Sequence, residues 1–370
     1  MLGDGRSPRL AWYALTSPAG AFAVESGLTQ GDWFRSAVPR KRLKELMRRS
    51  DYPAIRDTLI WLGVAVGAAG AGIALWGTWA ALPCFLVYGV MYGSASDSRW
   101  HEAGHGTAFR TRWLDDVVYQ IASFCMMRNP TVWRWSHTRH HTDTIIVGRD
   151  PEIAAMRPAR LAKILLNVFG LVDGPLGLKT MLINASGRVS ADESTFVPAQ
   201  ERHRVYRTAR IWTVLYVAVL VLAVVFRTWL PLVLIGGPRF YGAFMHMIYG
   251  MTQHAGLGEN VLDHRLNTRT VLMNPINRFI YWNMNYHIEH HMFPMVPYHQ
   301  LPALHEEVKK DMPEPYPSIW AAYKEIIPAV LRQLKDQTYF IQRALPSTAA
   351  PYHGPVQGLL PDSSAWAVSH

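Results

Sequence analysis

Nine histidines stand out by type and spacing. His101 and His105 are four apart in HEAGH, and His137, His140 and His141 crowd into HTRHH. His287, His290 and His291 repeat that second spacing in HIEHH, and His254 follows Gln253. Residues three and four apart share one face of a helix, so each group presents its imidazoles together. The chain has 16 histidines, and more than half fall in this pattern. Imidazole is a common metal ligand. A structural zinc takes four ligands and a catalytic zinc keeps one position open, whereas eight or nine nitrogens complete two ions of higher coordination. Imidazole suits iron, copper, nickel and zinc alike, so ligand type alone does not choose the metal. The only cysteines, Cys84 and Cys125, exclude a zinc ribbon, an iron–sulfur centre and a disulfide framework. Asp97, Asp143, Asp150 and Glu289 are the carboxylates expected to bind the far ring nitrogens of these histidines and fix their tautomers. Glu102, equally close in sequence, is weaker as a candidate.

The elements that must carry these groups are apolar. Hydrophobic residues make up 49% and charged residues 17%, against about 25% charged in an average soluble domain. From Thr58 to Ser96 there is no charged residue. As helix that run would be roughly 58 Å long at about 1.5 Å per residue, and a bilayer core is about 30 Å thick. It is therefore expected to form two crossings, about 58–76 and 79–96, with a turn near Gly77–Thr78. Gly63 and Gly67 have the spacing that lets helices approach closely. A second apolar block is expected to give spans at about 211–226 and 228–254, with Arg227 at the turn and Gly236-Gly237-Pro238 disturbing the return. The fold expected is all-α integral membrane, with two transmembrane helical hairpins, about four spans, and a cytoplasmic helical cap holding the histidines.

The polar segments set the orientation. The formal net charge is +10, and Arg40, Lys41, Arg42, Lys44, Arg48 and Arg49 precede the first span. The long middle connection is also rich in Arg, and the hairpin turns hold almost no Lys or Arg, so both termini and the connection are expected in the cytoplasm. Because the basic clusters flank spans, an anionic leaflet explains them and a nucleic-acid partner is not expected. Three regions follow: a cytoplasmic segment 1–50, a membrane domain 51–345 and a disordered tail 346–370. Residues 161–172 look amphipathic and are expected to lie along the interface. All the histidine groups then fall on one membrane face.

HEAGH, HTRHH and HIEHH, interleaved with two hairpins, resemble the membrane fatty acid desaturase and hydroxylase superfamily over roughly Tyr52 to Lys335. HEAGHGTAF, WRWSHTRHHTDT, GRDPE and NMNYHIEHHMFP look most like a bacterial subgroup that contains the rhizobitoxine-type desaturase and an oxygenase linked to rhizopine catabolism. The resemblance implies a non-haem di-iron centre of two iron ions, O₂ as co-substrate and an external electron donor. Carried over, the ligands are His101, His105, His137, His140, His141, His287, His290 and His291. His254 matches the extra histidine that some members place before the last box. Some acyl desaturases also support the metal through an Asn four residues earlier; Gly250 stands there in this chain, with Asn283 and Asn285 as substitutes. His-Pro-Gly-Gly, the haem-binding signature of cytochrome b5, does not occur. A separate ferredoxin, Rieske-type among the options, with its reductase is the expected donor, and a bacterial cell membrane the expected location.

The expected activity is desaturation of an acyl or related aliphatic substrate. The alternative within the same fold is a hydroxylase or demethylating monooxygenase acting on a small molecule. A membrane metal transporter is a more remote reading, since the histidine groups lie outside the apolar runs and only His246 falls within one. A zinc hydrolase is equally remote.

Overall fold

The charge-free run folds as a helical hairpin. Asp51–Ala74 forms the outgoing helix, and its first carboxylate accepts the Thr111 N–H and hydroxyl at 2.8 Å each. The chain returns through Ala81–Val90, a π-helical turn at Met91–Ala95, and Ser96–His105 without a break. A π turn widens the ring of backbone bonds and frees a carbonyl. Here Trp61 Nε1 donates to the Met91 carbonyl at 2.8 Å, tying the two legs. The structure, a computed structural model, describes residues 8–351. Among those residues the secondary structure is helical, with only the isolated bridges Thr270–Tyr286 and Val271–Tyr316 and no strand.

Two stretches, Arg40–Ala74 and Ala199–Val225, are long and apolar enough to cross a bilayer. Their outward surfaces carry exposed Leu59, Val66, Val214, Leu220 and Val224, with Trp76, Trp79 and Trp229 exposed near the hairpin ends. That is the pattern of a lipid-facing belt with interfacial indoles. Leu161–Val168 and Asp173–Ala185, bent by 87°, would make a third crossing if the pair acts as one span. Two to three candidate spans are therefore present rather than a clear four.

The expected span at about 228–254 is broken into Leu230–Leu234, Pro238–Tyr241 and Phe244–His254. Gly236 has φ +83°, and Pro238 cannot continue a helical ladder. The carbonyls released by the break find side chains, as buried backbone in an apolar setting must. Tyr88 donates to Leu234 O at 2.7 Å, Tyr241 to Val233 O at 2.8 Å and Ser94 to Gly242 O at 2.5 Å.

The close approach expected of Gly63 and Gly67 occurs elsewhere. A Cβ at either would meet nothing within 4 Å, whereas one at Gly242 would lie 2.0 Å from the Gly89 backbone and one at Gly93 2.6 Å from Pro238 O. Gly89 and Gly93 have the same spacing, and they let the broken segment touch the return leg backbone to backbone. The amphipathic stretch expected over 161–172 ends at Val168. The chain then turns at Gly170 (φ +61°), where a Cβ would meet Arg239 O at 2.1 Å.

The first fifty residues are not set apart from the rest. Arg9 and Tyr13 bind Glu259 at 2.8 and 2.5 Å. The Phe34 N–H donates to Leu262 O at 3.0 Å, and Gly20 packs against Gly148 so closely that a Cβ would be 2.9 Å from its carbonyl. Most of the tail expected from 346 onward lies outside the described residues.

Candidate metal centre

The helix Ser96–His105 extends the return leg of the first hairpin and ends at Gly106 in the left-handed region, so His101 and His105 occupy its last turns. HTRHH lies on Pro130–Thr142, which is capped by the Asn129 side chain accepting from Thr131 and Val132 N–H. HIEHH is the short helix His287–Met292, buried throughout. His254 ends Phe244–His254.

These four sources converge. His101, His105, His137, His141 and His290 form one group of nitrogens, and His140, His254, His287 and His291 a second; within each, the ligand atoms lie within 4.8 Å of one another. The i, i+3, i+4 spacing explains the partition. In HTRHH the outer pair His137 and His141 turns to the first group and His140 to the second. In HIEHH His287 and His291 turn to the second group and His290 to the first. Each of these helices therefore bridges both groups, which adjoin at His141 and His291 with ring centroids 4.5 Å apart.

Four rings have their proton placed by a partner. His137 Nδ1 faces Glu152 Oε2 at 2.9 Å, and His140 Nδ1 faces Asp150 Oδ2 at 2.8 Å. His254 Nδ1 donates to Asn267 O at 2.9 Å. Thr144 gives its own hydrogen to His140 O at 2.7 Å and leaves its oxygen for His291 Nδ1 at 3.3 Å. Each contact puts the hydrogen on Nδ1 and the lone pair on Nε2, pointing inward. The Nε2 atoms then crowd: His137 to His105 at 3.1 Å, His141 to His137 at 3.0 Å, His290 to His141 at 3.2 Å and His291 to His287 at 3.1 Å. His254 Nε2 is buried with no hydrogen-bond partner. Converging lone pairs repel unless a cation sits between them, so this donor set fits metal ions.

Burial, with neighbouring imidazoles second, holds His137, His141, His287, His290 and His291 well below the ordinary imidazole range. These groups are neutral near pH 7, as metal ligation requires. For His140, burial acts downward but Asp150 outweighs it, and the net shift is up. Burial pushes Glu152 up to about 7, against the pull of His140.

The expected carboxylates divide. Asp150 reaches His140, as above. Asp97 pairs instead with His246 at 3.0 Å. Asp143 lies against Arg149 at 3.0 Å and Arg139 at 3.7 Å. Glu289 binds His305 and the Thr270 hydroxyl. Glu102 takes the Thr107 hydroxyl at 2.7 Å and the Tyr298 N–H at 3.1 Å. The carboxylate that does reach a second clustered histidine, Glu152, was not singled out by sequence. Its position two residues after Asp150 in GRDPE was the available signal. Asn283 is engaged with Arg278 and Tyr298, and Asn285 with Val271, so neither is shown taking the role of the missing Asn. A Cβ at Gly250 would meet open space.

That space is a cavity of about 680 Å³ beside the histidines. His101, His137, His140, His254 and His287 form one wall; Val132, Ile153, Met181, Trp212, Met247 and Met251 supply apolar surface. Asp97, Arg128, Asp173, Arg239 and His246 add charged groups to the lining. The size falls in the range of small-molecule sites, about 300–1,000 Å³.

Comparison with known proteins agrees with this geometry. The pattern of the fatty acid desaturase family matches residues 76–323. A probable fatty acid desaturase of Sorghum bicolor is 25% identical over 284 residues, covering 72% of this chain and 72% of the relative. An endoplasmic reticulum omega-6 fatty acid desaturase of Glycine max is 25% identical over 277 residues, 65% and 71% of the two chains. An acyl-lipid (9+3)-(E)-desaturase of Dimorphotheca sinuata is 24% identical over 280 residues, 66% and 73%.

Proposed function

The chain belongs to the fatty acid desaturase family, and on that premise we propose that its nine clustered histidines hold two irons at which an acyl or related aliphatic substrate is desaturated. The enzyme is an O₂-dependent membrane oxidoreductase. One observation carries the reading: five and four inward-facing imidazoles at the wall of a closed-in cavity. The balanced reaction takes –CH₂–CH₂– with O₂, two electrons and two protons to –CH=CH– and two waters. When bound, the iron pair supplies O₂ activation and removal of hydrogen from an unactivated C–H bond. The chain's residues do the rest. Glu152, Asp150, Asn267 and Thr144 keep the ring protons on Nδ1, and the apolar wall holds the carbon chain against the histidines. Exclusion of water protects the oxidant, and His290, fully buried, closes that side.

Further parts of the reading rest on sequence. The four boxes HEAGHGTAF, WRWSHTRHHTDT, GRDPE and NMNYHIEHHMFP support membership of the bacterial subgroup named above. Both hairpins, with their broken return leg counted as a fourth crossing, support a site on the cytoplasmic face of a bacterial cell membrane. A ferredoxin with its reductase is the donor we assign.

A second reading has its own observation. The charged groups Asp97, Arg128, Asp173, Arg239 and His246 in the cavity wall favour a small polar substrate, which would be hydroxylated or demethylated. Iron analysis and product analysis under ¹⁸O₂ test both. Protein reconstituted in lipid nanodiscs with acyl lipids is expected to hold about two irons and to yield an alkene without label. Label in the organic product moves the assignment to hydroxylation, and released formaldehyde to demethylation. Active protein without iron ends the di-iron reading.

A further inference from the structure

His264 was left without a role by the sequence, and its surroundings give it one. It is buried, and its ring lies 5.0 Å from that of His291, a member of the four-histidine group. On its other side Trp33 stacks on it, with centroids 4.3 Å apart and planes 9° from parallel. Trp33 is only half-buried, and its indole N–H donates to Thr142 O at 3.1 Å. Three rings thus run in contact from the surface to the metal centre, through neither the cavity nor the bilayer-facing helices.

The surface where this stack emerges is positive. Arg35 lies two residues from Trp33, close enough that its charge acts on His264, and exposed Arg40 and Lys41 follow. Beside Thr142 an open hollow of about 310 Å³ is lined by Arg139 and Arg149. Those two arginines share one carboxylate, Asp143, which leaves a net positive charge.

We propose that this face docks an acidic one-electron carrier protein, and that Trp33 and His264 form the contact through which its electrons reach the histidine centre. The inference rests on the di-iron reading above and names the partner surface it needs. Each turnover requires two electrons, one from each of two reduced carriers, and their delivery balances the reduction of O₂ to two waters. The rings themselves are left unchanged. Opposite charge speeds the encounter and orients it, while the aromatic stack spans the buried distance that a docked protein cannot enter.

The test uses iron-loaded, full-chain protein in nanodiscs, with a reduced plant-type [2Fe–2S] ferredoxin as probe. Its oxidation is followed by stopped flow, and reduced methyl viologen serves in parallel as a small reductant that needs no docking surface. Arg35→Glu/Arg40→Glu/Lys41→Glu is expected to slow ferredoxin oxidation at low salt by about ten-fold or more and to flatten its dependence on ionic strength. Trp33→Leu is expected to lose ferredoxin-driven rate in greater proportion than viologen-driven rate, with Trp33→Phe largely restoring it. Iron content in each variant is measured alongside. Equal losses with both reductants would mean that Trp33 is merely structural, and an unchanged salt dependence would remove the docking face. Absence of iron or of viologen-driven turnover in the unaltered protein counts against the di-iron reading instead.

Discussion

Replacing Glu152 by Gln and Asp150 by Asn should empty different halves of the metal centre. Glu152 holds a ring of the five-histidine group and Asp150 a ring of the four-histidine group. The partners are buried, with His137, His140 and Asp150 each 3–4% exposed, so water cannot readily take over the lost contact. Removing a carboxylate that orients a ligand typically costs 10- to 100-fold in metal affinity, or about 1.4–2.7 kcal/mol. The two substitutions differ in side effects. Glu152 also accepts the Ser136 hydroxyl at 2.7 Å, a contact glutamine can keep. Asp150 uses both oxygens as acceptors: Oδ1 takes the Glu152 N–H at 2.8 Å, and Oδ2 takes Ile145 N–H at 2.7 Å together with His140. An asparagine must put its amide hydrogens against one of those donors, so Asp150→Asn should sit at the upper end of the range and also lower thermal stability. The assay is iron titration at buffered free iron, with Mössbauer spectra to resolve the sites. At a free iron level that just fills the unaltered protein, each variant should retain about one iron, in spectroscopically different sites. Equal loss from both sites in both variants would refute the division into five and four. Full retention by Glu152→Gln would remove Glu152 from the centre.

Other perturbations probe the supports. Gly104→Ala would put a Cβ 2.1 Å from Trp133, whose ring stacks on His137 at 4.2 Å; it should cost about 1–3 kcal/mol in stability and loosen iron, measured by unfolding and iron content, and unchanged values would contradict the packing. Gly242→Ala, 2.0 Å from backbone, should be at least as damaging to thermal stability, while Gly63→Ala, with open space around it, should stay within about 0.5 kcal/mol. The metal-free protein should lose stability as pH falls from about 6.5, the ordinary imidazole value, toward 5. In that window unfolding lets His137, His141, His287, His290 and His291 take up protons that the folded state refuses. Stability therefore rises with pH there. Glu152, held up to about 7, works the other way, as one group against five. A thermal midpoint that is flat or higher at pH 5 would contradict this.

Helix periodicity made the ligand groups readable, because i, i+3, i+4 spacing fixes a shared face whatever the tertiary structure does. It could not tell which members of a group serve which metal: that depends on how the HTRHH and HIEHH helices lie against each other, and crossing geometry is set by packing between residues about 150 positions apart. The carboxylates show the same boundary more sharply. Asp97, Asp143 and Glu289 were chosen for their nearness in sequence to a histidine, yet a carboxylate on the same short helix projects away from the face its neighbours present. Asp143 follows His141 at the helix end and turns to Arg139 and Arg149. Asp150 and Glu152 succeed because the chain reverses after Thr144 and runs back along the helix it has just left. Asp150 Oδ2 closes that reversal on the Ile145 N–H, so the contact that forms the loop also aims its acids at the rings behind it. The break at Gly236-Gly237-Pro238 follows the same logic in reverse. Its residues announced a disturbance, but whether it ended the span depended on Tyr88 and Ser94 in the other hairpin, whose hydroxyls bind the carbonyls on either side of it. Without such donors an interrupted helix would be too costly in an apolar setting, so the same triplet in another chain would have to yield a different path.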